Sequence, residues 1–418
     1  MTIETAEPVK PPRHRRTVWT AIVASQLCLA LTTAFGVTWV HRNLNDNIEP
    51  GQTIEHIAGV EKDSTATDEG PTGPLNILVM GSDSRDGAGN NLDGLTGGGE
   101  RSDTTILLHV SANRKTAYGV SLPRDAIVDR PECTDTDGET VPAATAVMFN
   151  SAFSVGGALC TVATVESLTG IYIDHFVVLD FNGFKDMVDA VGGVEVCIPE
   201  EVDDAEHNIF LDAGVQTLTG QDALNYVRER YQLSVTGDIG RMKRQQAFIA
   251  SMVAKVMSAG TLSQPTRVVK FLNAVTSSIQ VDDGIDSVGQ LAGLAMQFQD
   301  TGLDKIKFIT VPIAEYPEDP NRLIWTDDAD ELWQRIKDDK GLGRAFSATS
   351  IEAADSVGTL NGTDTATAEP TTAPTTETPS DTATSDPTSE PTDEVTDGSG
   401  SGLSEEEQAA RRAAGLCV

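Results

Sequence analysis

Positive charge is scarce in this chain: 30 Lys and Arg stand against 63 Asp and Glu, a formal net charge of −33 over 418 residues. So acidic a protein repels polyphosphate backbones, which excludes nucleic acid as a partner and makes any local basic cluster conspicuous. Cysteine is sparse as well. There are five, with no CxxC pair, so a zinc or thiol-redox centre lacks its usual ligand spacing. No G-x-S-x-G elbow is present and His109, His175 and His207 are scattered, which argues against covalent catalysis of the serine type. Internal repeats are missing too.

One absence is local. Thr17 to Val40 carries no charged side chain, a run long enough to cross a bilayer as a helix. Lys10, Arg13, Arg15 and Arg16 precede it, whereas Arg42 alone, with Asp46 and Glu49, follows. That asymmetry places residues 1–16 in the cytoplasm and the rest outside, with Trp19 and Trp39 as interfacial anchors. LTTAFGVTW offers no small-x-small cleavage site, so an uncleaved single-pass anchor over 17–40 is expected.

Beyond it, 41–73 is polar and Gly/Pro-punctuated and reads as an extracytoplasmic stalk. From 347 to 418 Thr, Ser, Pro, Asp and Glu dominate, a composition that buries too little apolar surface to order itself, so a disordered tail is expected. The fold is thereby confined to 74–346. Of the cysteines, Cys28 lies in the apolar run, leaving Cys133, Cys160, Cys197 and Cys417 outside, where three pairings are open. Cys133 and Cys160 flank one loop-rich segment and are the first pair expected.

Within the fold, short apolar runs at 75–81, 103–112, 115–125, 173–181, 193–199 and 305–312 read as strands. Helical patterns cover 152–157 and 161–169, a segment capped by Asn182, 220–230, 238–258, 264–276, 287–298 and 327–337. Strands alternating with helices predict an α/β fold, a layered α-β-α domain with a mixed central sheet.

Against the acidic background, the stretch from Tyr226 to Gln246 gathers Arg228, Arg230, Arg241, Lys243 and Arg244. Guanidinium groups present a permanent charge and a planar fork that matches phosphate. On a helical wheel Met242, Ile249, Val253 and Val256 form an apolar stripe, with Arg241, Arg244 and Gln245 on the flank beside it. Asp83 follows the first strand and Asp103 opens the second, with Arg85 and Arg101 beside them and Arg124 after the third. Two carboxylates at neighbouring strand ends suit Mg²⁺, which takes few protein oxygens and shares its other positions with water and phosphate.

GSDSR, RSDTT, SLPRD, FNSAF, IDHFVVLDFNGFKDMVDAVGGVEV, YVRER and GDIGRMKRQQ occur in the order seen in the LytR-CpsA-Psr family, which the chain resembles from about Pro74 to Lys337. The resemblance implies a membrane-anchored phosphotransferase that takes a glycan phosphate from a polyprenyl-pyrophosphate carrier and attaches it to a peptidoglycan hydroxyl. It implies Asp83 and Asp103 as ligands of Mg²⁺, with Mn²⁺ as a substitute. It implies Arg85, Arg101, Arg124, Arg228, Arg230, Arg241 and Gln245, with Arg244 adjacent, as the pyrophosphate-binding set. Of these, Arg124, Arg228, Arg230, Arg241 and Gln245 are the expected catalytic residues. A hydrophobic groove for the lipid, lined from Phe176 to Phe184 and Ile249 to Val256, is implied in the same way. The acidic Thr/Pro tail and the cysteines resemble the actinobacterial branch, and hence an arabinogalactan-like polymer. One departure is plain: Met148 stands where the family usually has lysine. It keeps two alternatives open, a non-catalytic binder or scaffold for the same glycolipid, and a hydrolase of its pyrophosphate.

Overall fold

The computed structural model describes residues 14–62, 73–83, 102–205, 208–229, 232–233, 237–298, 300–347, 349–354, 409 and 416–417. In chain order the main elements are α1 (His14–Asp46), β1 (Leu75–Ser82), β2 (Ser102–Val110), β3 (Ala117–Leu122), α2 (Ser151–Thr169) and β4 (His175–Leu179). Then come α3 (Phe181–Ala190), β5 (Val194–Ile198), β6 (Gly214–Leu218), α4 (Gly220–Arg228), α5 (Asp238–Met257), α6 (Pro265–Thr276) and β7 (Ile279–Val281). α7 (Val288–Met296), β8 (Ile306–Thr310), α8 (Asp327–Lys337) and β9 (Ile351–Glu352) complete the set. Short hairpins fill the connections.

Seven strands form one sheet in the order β7-β4-β1-β2-β3-β8-β9. β1 pairs parallel with β4 and β3 parallel with β8, and the other pairings are antiparallel, so the sheet is mixed as expected. Both faces are covered, which explains why β1 and β3 read as nearly unbroken apolar runs. Leu78 and Met80 of β1 pack with Val162 and Val165 of α2 and Trp333 and Ile336 of α8. Leu75, Ile77 and Val79 point the other way, toward Ile249 and Ala250 of α5 and Leu294 of α7. This alternation is the period-2 geometry of a strand dividing two cores. A third core lies beside the sheet, where α3, α4 and the β5/β6 hairpin close over Phe248 of α5.

α2 is interrupted as its sequence predicts. Gly157 takes φ +62°, which costs an L side chain dearly, and the helix is resumed toward a left-handed Gly170 cap. At the break Cys160 is bonded to Cys133. Cys197, whose pairing was open, is bonded to Cys417, and Leu416 beside it is buried among Ile77, Val110 and Phe308. α2 is long and apolar enough to cross a membrane, but 67% of its window is buried, which makes it a core helix; Thr17–Asp46 has a mean hydropathy of 1.7 and none of its window is buried.

Three expectations are corrected. The α3 cap is Asp180, which accepts from the Gly183 amide at 2.7 Å, so Asn182 lies inside the helix. The described part of the expected stalk, 41–62, packs on the domain. Leu44 and Ile48 are buried, and His56 Nδ1 and the Ile57 amide hold the buried Glu166 carboxylate at 2.7 and 3.1 Å. Polar composition concealed a few apolar anchors spaced along an extended segment. Packing also continues past 346, through β9 on β8 and Cys417 on β5; apart from 347, 349–354, 409 and 416–417, the expected tail lies outside the described residues.

Candidate functional site

The site begins with a register irregularity. Gly81 pairs with Thr104 but Ser82 pairs with Ser102, leaving Asp103 as the unpaired residue of a β-bulge. A bulge re-aims the side chain it carries. On the far side of β2, Thr105 pairs with Leu122, so Arg124, two residues past Leu122, ends level with Asp103. Their side chains meet, Arg124 Nη1 donating to Asp103 Oδ1 at 2.5 Å. Asp83 follows β1 directly, at this same end of the sheet.

α5 brings the third wall. Its buried Gln246 donates to Ser121 Oγ on β3 and Thr310 Oγ1 on β8, both at 2.9 Å, which clamps the helix onto the sheet. The N-terminal turn is thereby laid over the strand ends. Asp238 accepts from Arg124 Nε at 3.3 Å and from Arg241 Nη2 at 2.9 Å. Arg124 Nε also donates to Asp125 at 3.1 Å, and Arg322 Nη1 donates to the other Asp125 oxygen at 3.0 Å. The resulting pocket is lined by Asp103, Ser121, Arg124, Asp125, Asp238, Arg241 and Gln245.

Burial works against the charge on Arg124, but Asp103, Asp238 and Asp125 together outweigh it and raise its pKa. Asp125 moves the opposite way from a salt-bridged carboxyl. Burial and a hydrogen bond shared with Asp238 push it up, more strongly than Arg124 pulls it down. A carboxyl raised on folding stabilises the fold most below its unfolded pKa of 3.8, and that contribution is lost as pH rises through the raised value. In urea melts taken from pH 3.5 upward, D125N is therefore expected to flatten the stability slope in that acidic window and leave the slope at higher pH unchanged.

The structure divides the arginine stretch. Arg241 and Gln245 face the pocket, and Gln245 Nε2 donates to the Val227 carbonyl at 3.2 Å. Arg228, next in the chain to Val227, lies 4.9 Å over the Phe181 ring. Lys243 points outward and donates to the Thr349 carbonyl at 2.7 Å. Arg244 is not on an open flank: it is fully buried, donates to the Glu229 carbonyl and packs under Tyr226. Burial lowers its pKa, with Tyr226 and Glu229 opposing, and burial pushes the Tyr226 hydroxyl up to about 12. A guanidinium so enclosed holds α4 against α5. Arg85, Arg101 and Arg230 lie outside the described residues.

Sequence reasoning missed Asp125, Asp238 and Arg322. The first two stood in quoted motifs, SLPRD and GDIGR, where they read as turn and helix start; Arg322 carried no signal. The implied lipid groove is also redistributed. Phe176 faces the α2 side, whereas Val177, Ile249 and Val253 gather on the α5 side and Phe184 and Val256 belong to the third core.

Asp83 and Asp103 offer hard oxygen donors, and among the described residues no cluster of three or more His, Cys, Asp or Glu forms a closed cage. That donor set fits Mg²⁺ completed by phosphate and water, and does not fit a structural zinc.

The family profile described as the LytR_cpsA_psr family matches residues 44–338. The chain belongs to the LytR-CpsA-Psr family. It is 35% identical over 265 residues to the cell wall biosynthesis protein LcpA of Corynebacterium glutamicum, covering 58% of this chain and 50% of LcpA. It is 33% identical over 219 residues to the polyisoprenyl-teichoic acid–peptidoglycan teichoic acid transferase TagU of Enterococcus faecalis, covering 52% of this chain and 65% of TagU. The chain thus spans half to just under two thirds of these relatives. The crystal structure of protein gbs0355 from Streptococcus agalactiae superposes with a TM-score of 0.52 at 27% identity, over 68% of this chain and 93% of that one. The family match begins at 44, where the buried Leu44 already ties the end of α1 to the domain.

Proposed function

We propose that this LytR-CpsA-Psr protein is a membrane-anchored phosphotransferase that moves a glycan from a polyprenyl-pyrophosphate carrier to peptidoglycan, with its domain outside the cytoplasmic membrane. The observation that carries the reading is the convergence of Arg124, Arg241 and Gln245 with Asp103 in one pocket at the sheet's end. Such a displacement needs charge neutralisation and alignment more than a covalent catalyst. Bound through Asp83 and Asp103, Mg²⁺ would supply neutralising charge for the pyrophosphate.

In this reading Arg124 and Arg241 exchange their carboxylate partners for phosphate oxygens. The acceptor hydroxyl forms the new P–O bond to the glycan-side phosphorus. The bond to polyprenyl phosphate breaks with its electron pair on the leaving oxygen, and the hydroxyl proton passes to the pocket carboxylates. Arg228, Arg230, Arg85 and Arg101 complete the clamp by motif match. The names of LcpA and TagU support a cell-wall polymer as cargo; an arabinogalactan-like one is the reading drawn from the actinobacterial resemblance of the tail and cysteines.

Full-length protein in nanodiscs, given radiolabelled lipid-linked sugar, peptidoglycan and Mg²⁺, is expected to move label into the wall fraction and to stop on EDTA addition. Soluble label would support the hydrolase instead, and saturable binding without turnover the scaffold. Met148, half-buried where a lysine was expected, is the feature that favours the latter.

A further inference from the structure

α1 does not leave the bilayer as a loose tether. It stays helical to Asp46, past the end of the apolar run at Val40. Within about two turns it is bound to α6: Asn43 Nδ2 donates to Asn273 Oδ1 at 3.4 Å, and Asn47 Nδ2 donates to Asn273 Oδ1 at 3.1 Å and to Thr276 Oγ1 at 3.3 Å. Asn45 Oδ1 accepts from the first amide of α7 at 3.3 Å, and Ile48 is buried with Val275, Val281 and Val288. The anchor and the domain share one packed joint.

These pairings fix a direction. Asn43 and Asn47 both reach Asn273 but only Asn47 reaches Thr276, so the start of α6 is its end nearer the apolar run. One further turn down α1 reaches Trp39 and Val40, roughly 6 Å lower at 1.5 Å per residue. One further turn back along α6 reaches Val269, on the same face as Asn273. Val269 and Leu272 are exposed large apolar residues at 40% and 38%, and Lys270 between them is exposed. Trp39 is exposed at that level, as an interfacial tryptophan is, and Val40 is half-buried.

We propose that the start of α6 rests against the phospholipid headgroup layer, with Val269 and Leu272 turned toward the acyl boundary and Lys270 at phosphate depth. An apolar, amphipathic helix end with a basic residue is the composition that lies in an interface. The occupant is the bilayer because α1, to which α6 is bound at Asn43 and Asn47, carries the apolar run that ends at Val40. The seat fixes the domain's tilt, and with it α7, whose Leu294 flanks the apolar layer formed with Val177, Ile249 and Val253. This holds whether the pocket transfers, hydrolyses or only binds.

The test is spin-label depth on the full chain in nanodiscs of phosphatidylcholine and phosphatidylglycerol. Native Cys28, free and within the apolar run, reports the deep reference. In a C28S background V269C, L272C and V155C are labelled singly, Val155 being exposed on α2. The ratio of oxygen to nickel-chelate accessibility is expected to be several-fold higher at 269 and 272 than at 155, and lower than at 28. Ratios at 269 and 272 equal to that at 155 would overturn the seat and point to a protein partner or open water. A shallow reading at Cys28 would overturn it as well, by removing the span.

Discussion

Arg124→Ala is expected to lower transfer by about 10²- to 10³-fold, the loss seen when one donor aimed at developing charge is removed. The geometry gives the reason. Arg124 is the hub, holding Asp103 at 2.5 Å, Asp125 at 3.1 Å and Asp238 at 3.3 Å, and its side chain is only 17% exposed. Truncation removes a phosphate ligand and also leaves three carboxylates facing one another without their shared cation. Two effects are therefore expected, and they separate. Stability should fall, and adding D125N to R124A should recover part of it by deleting one of the three facing carboxylate charges. Activity should not recover, because D125N restores no donor. Arg124→Lys should keep the charge without the fork and fall between. Transfer assays and urea melts on the three variants read both effects. If R124A turned over like the parent, the pocket would not be the reaction site.

The central sheet, the three-layer arrangement and most helices were legible because period-2 and period-3.6 patterns survive wherever an element divides two cores. Leu78 and Ile77 are adjacent yet serve opposite cores, and the run LNILVMG shows both. The site was legible as residue types but not as partnerships. Asp103 reaches Arg124 only because a bulge displaces it, and a bulge is a backbone event with no residue signature here. Arg241 and Arg244 illustrate the same limit. Three positions apart on α5, they read alike on a helical wheel, yet Arg241 faces the pocket and Arg244 is sealed beneath Tyr226. What separates them is the packing of α4, which lies close to α5 only in three dimensions. The end of the chain shows the same limit: composition describes the many residues of the tail, and the disulfide at Cys417 depends on one.

Breaking that disulfide should produce the largest loss of stability available from a single side chain. Cys197 and Cys417 are 220 positions apart, against 27 for Cys133 and Cys160. A cross-link stabilises mainly by restricting the unfolded chain, and the restriction grows with the logarithm of the closed loop. The relation gives about 5 kcal/mol for the longer loop and about 3.5 kcal/mol for the shorter. At roughly 2–4 °C per kcal/mol for a domain of this class, C417S should lower Tm by about 10–20 °C. C197S should do the same, and the double variant should lose no more than either single one, since one bond is removed in each. C133S/C160S should fall short of that loss. Leu416, buried next to Cys417 against Ile77 and Phe308, should unseat with it, so L416A in the parent costs less than C417S but adds little in the C417S background. Additive losses from C197S and C417S would show that the two side chains act separately, and equal Tm values throughout would show that the chain end contributes nothing to the folded state.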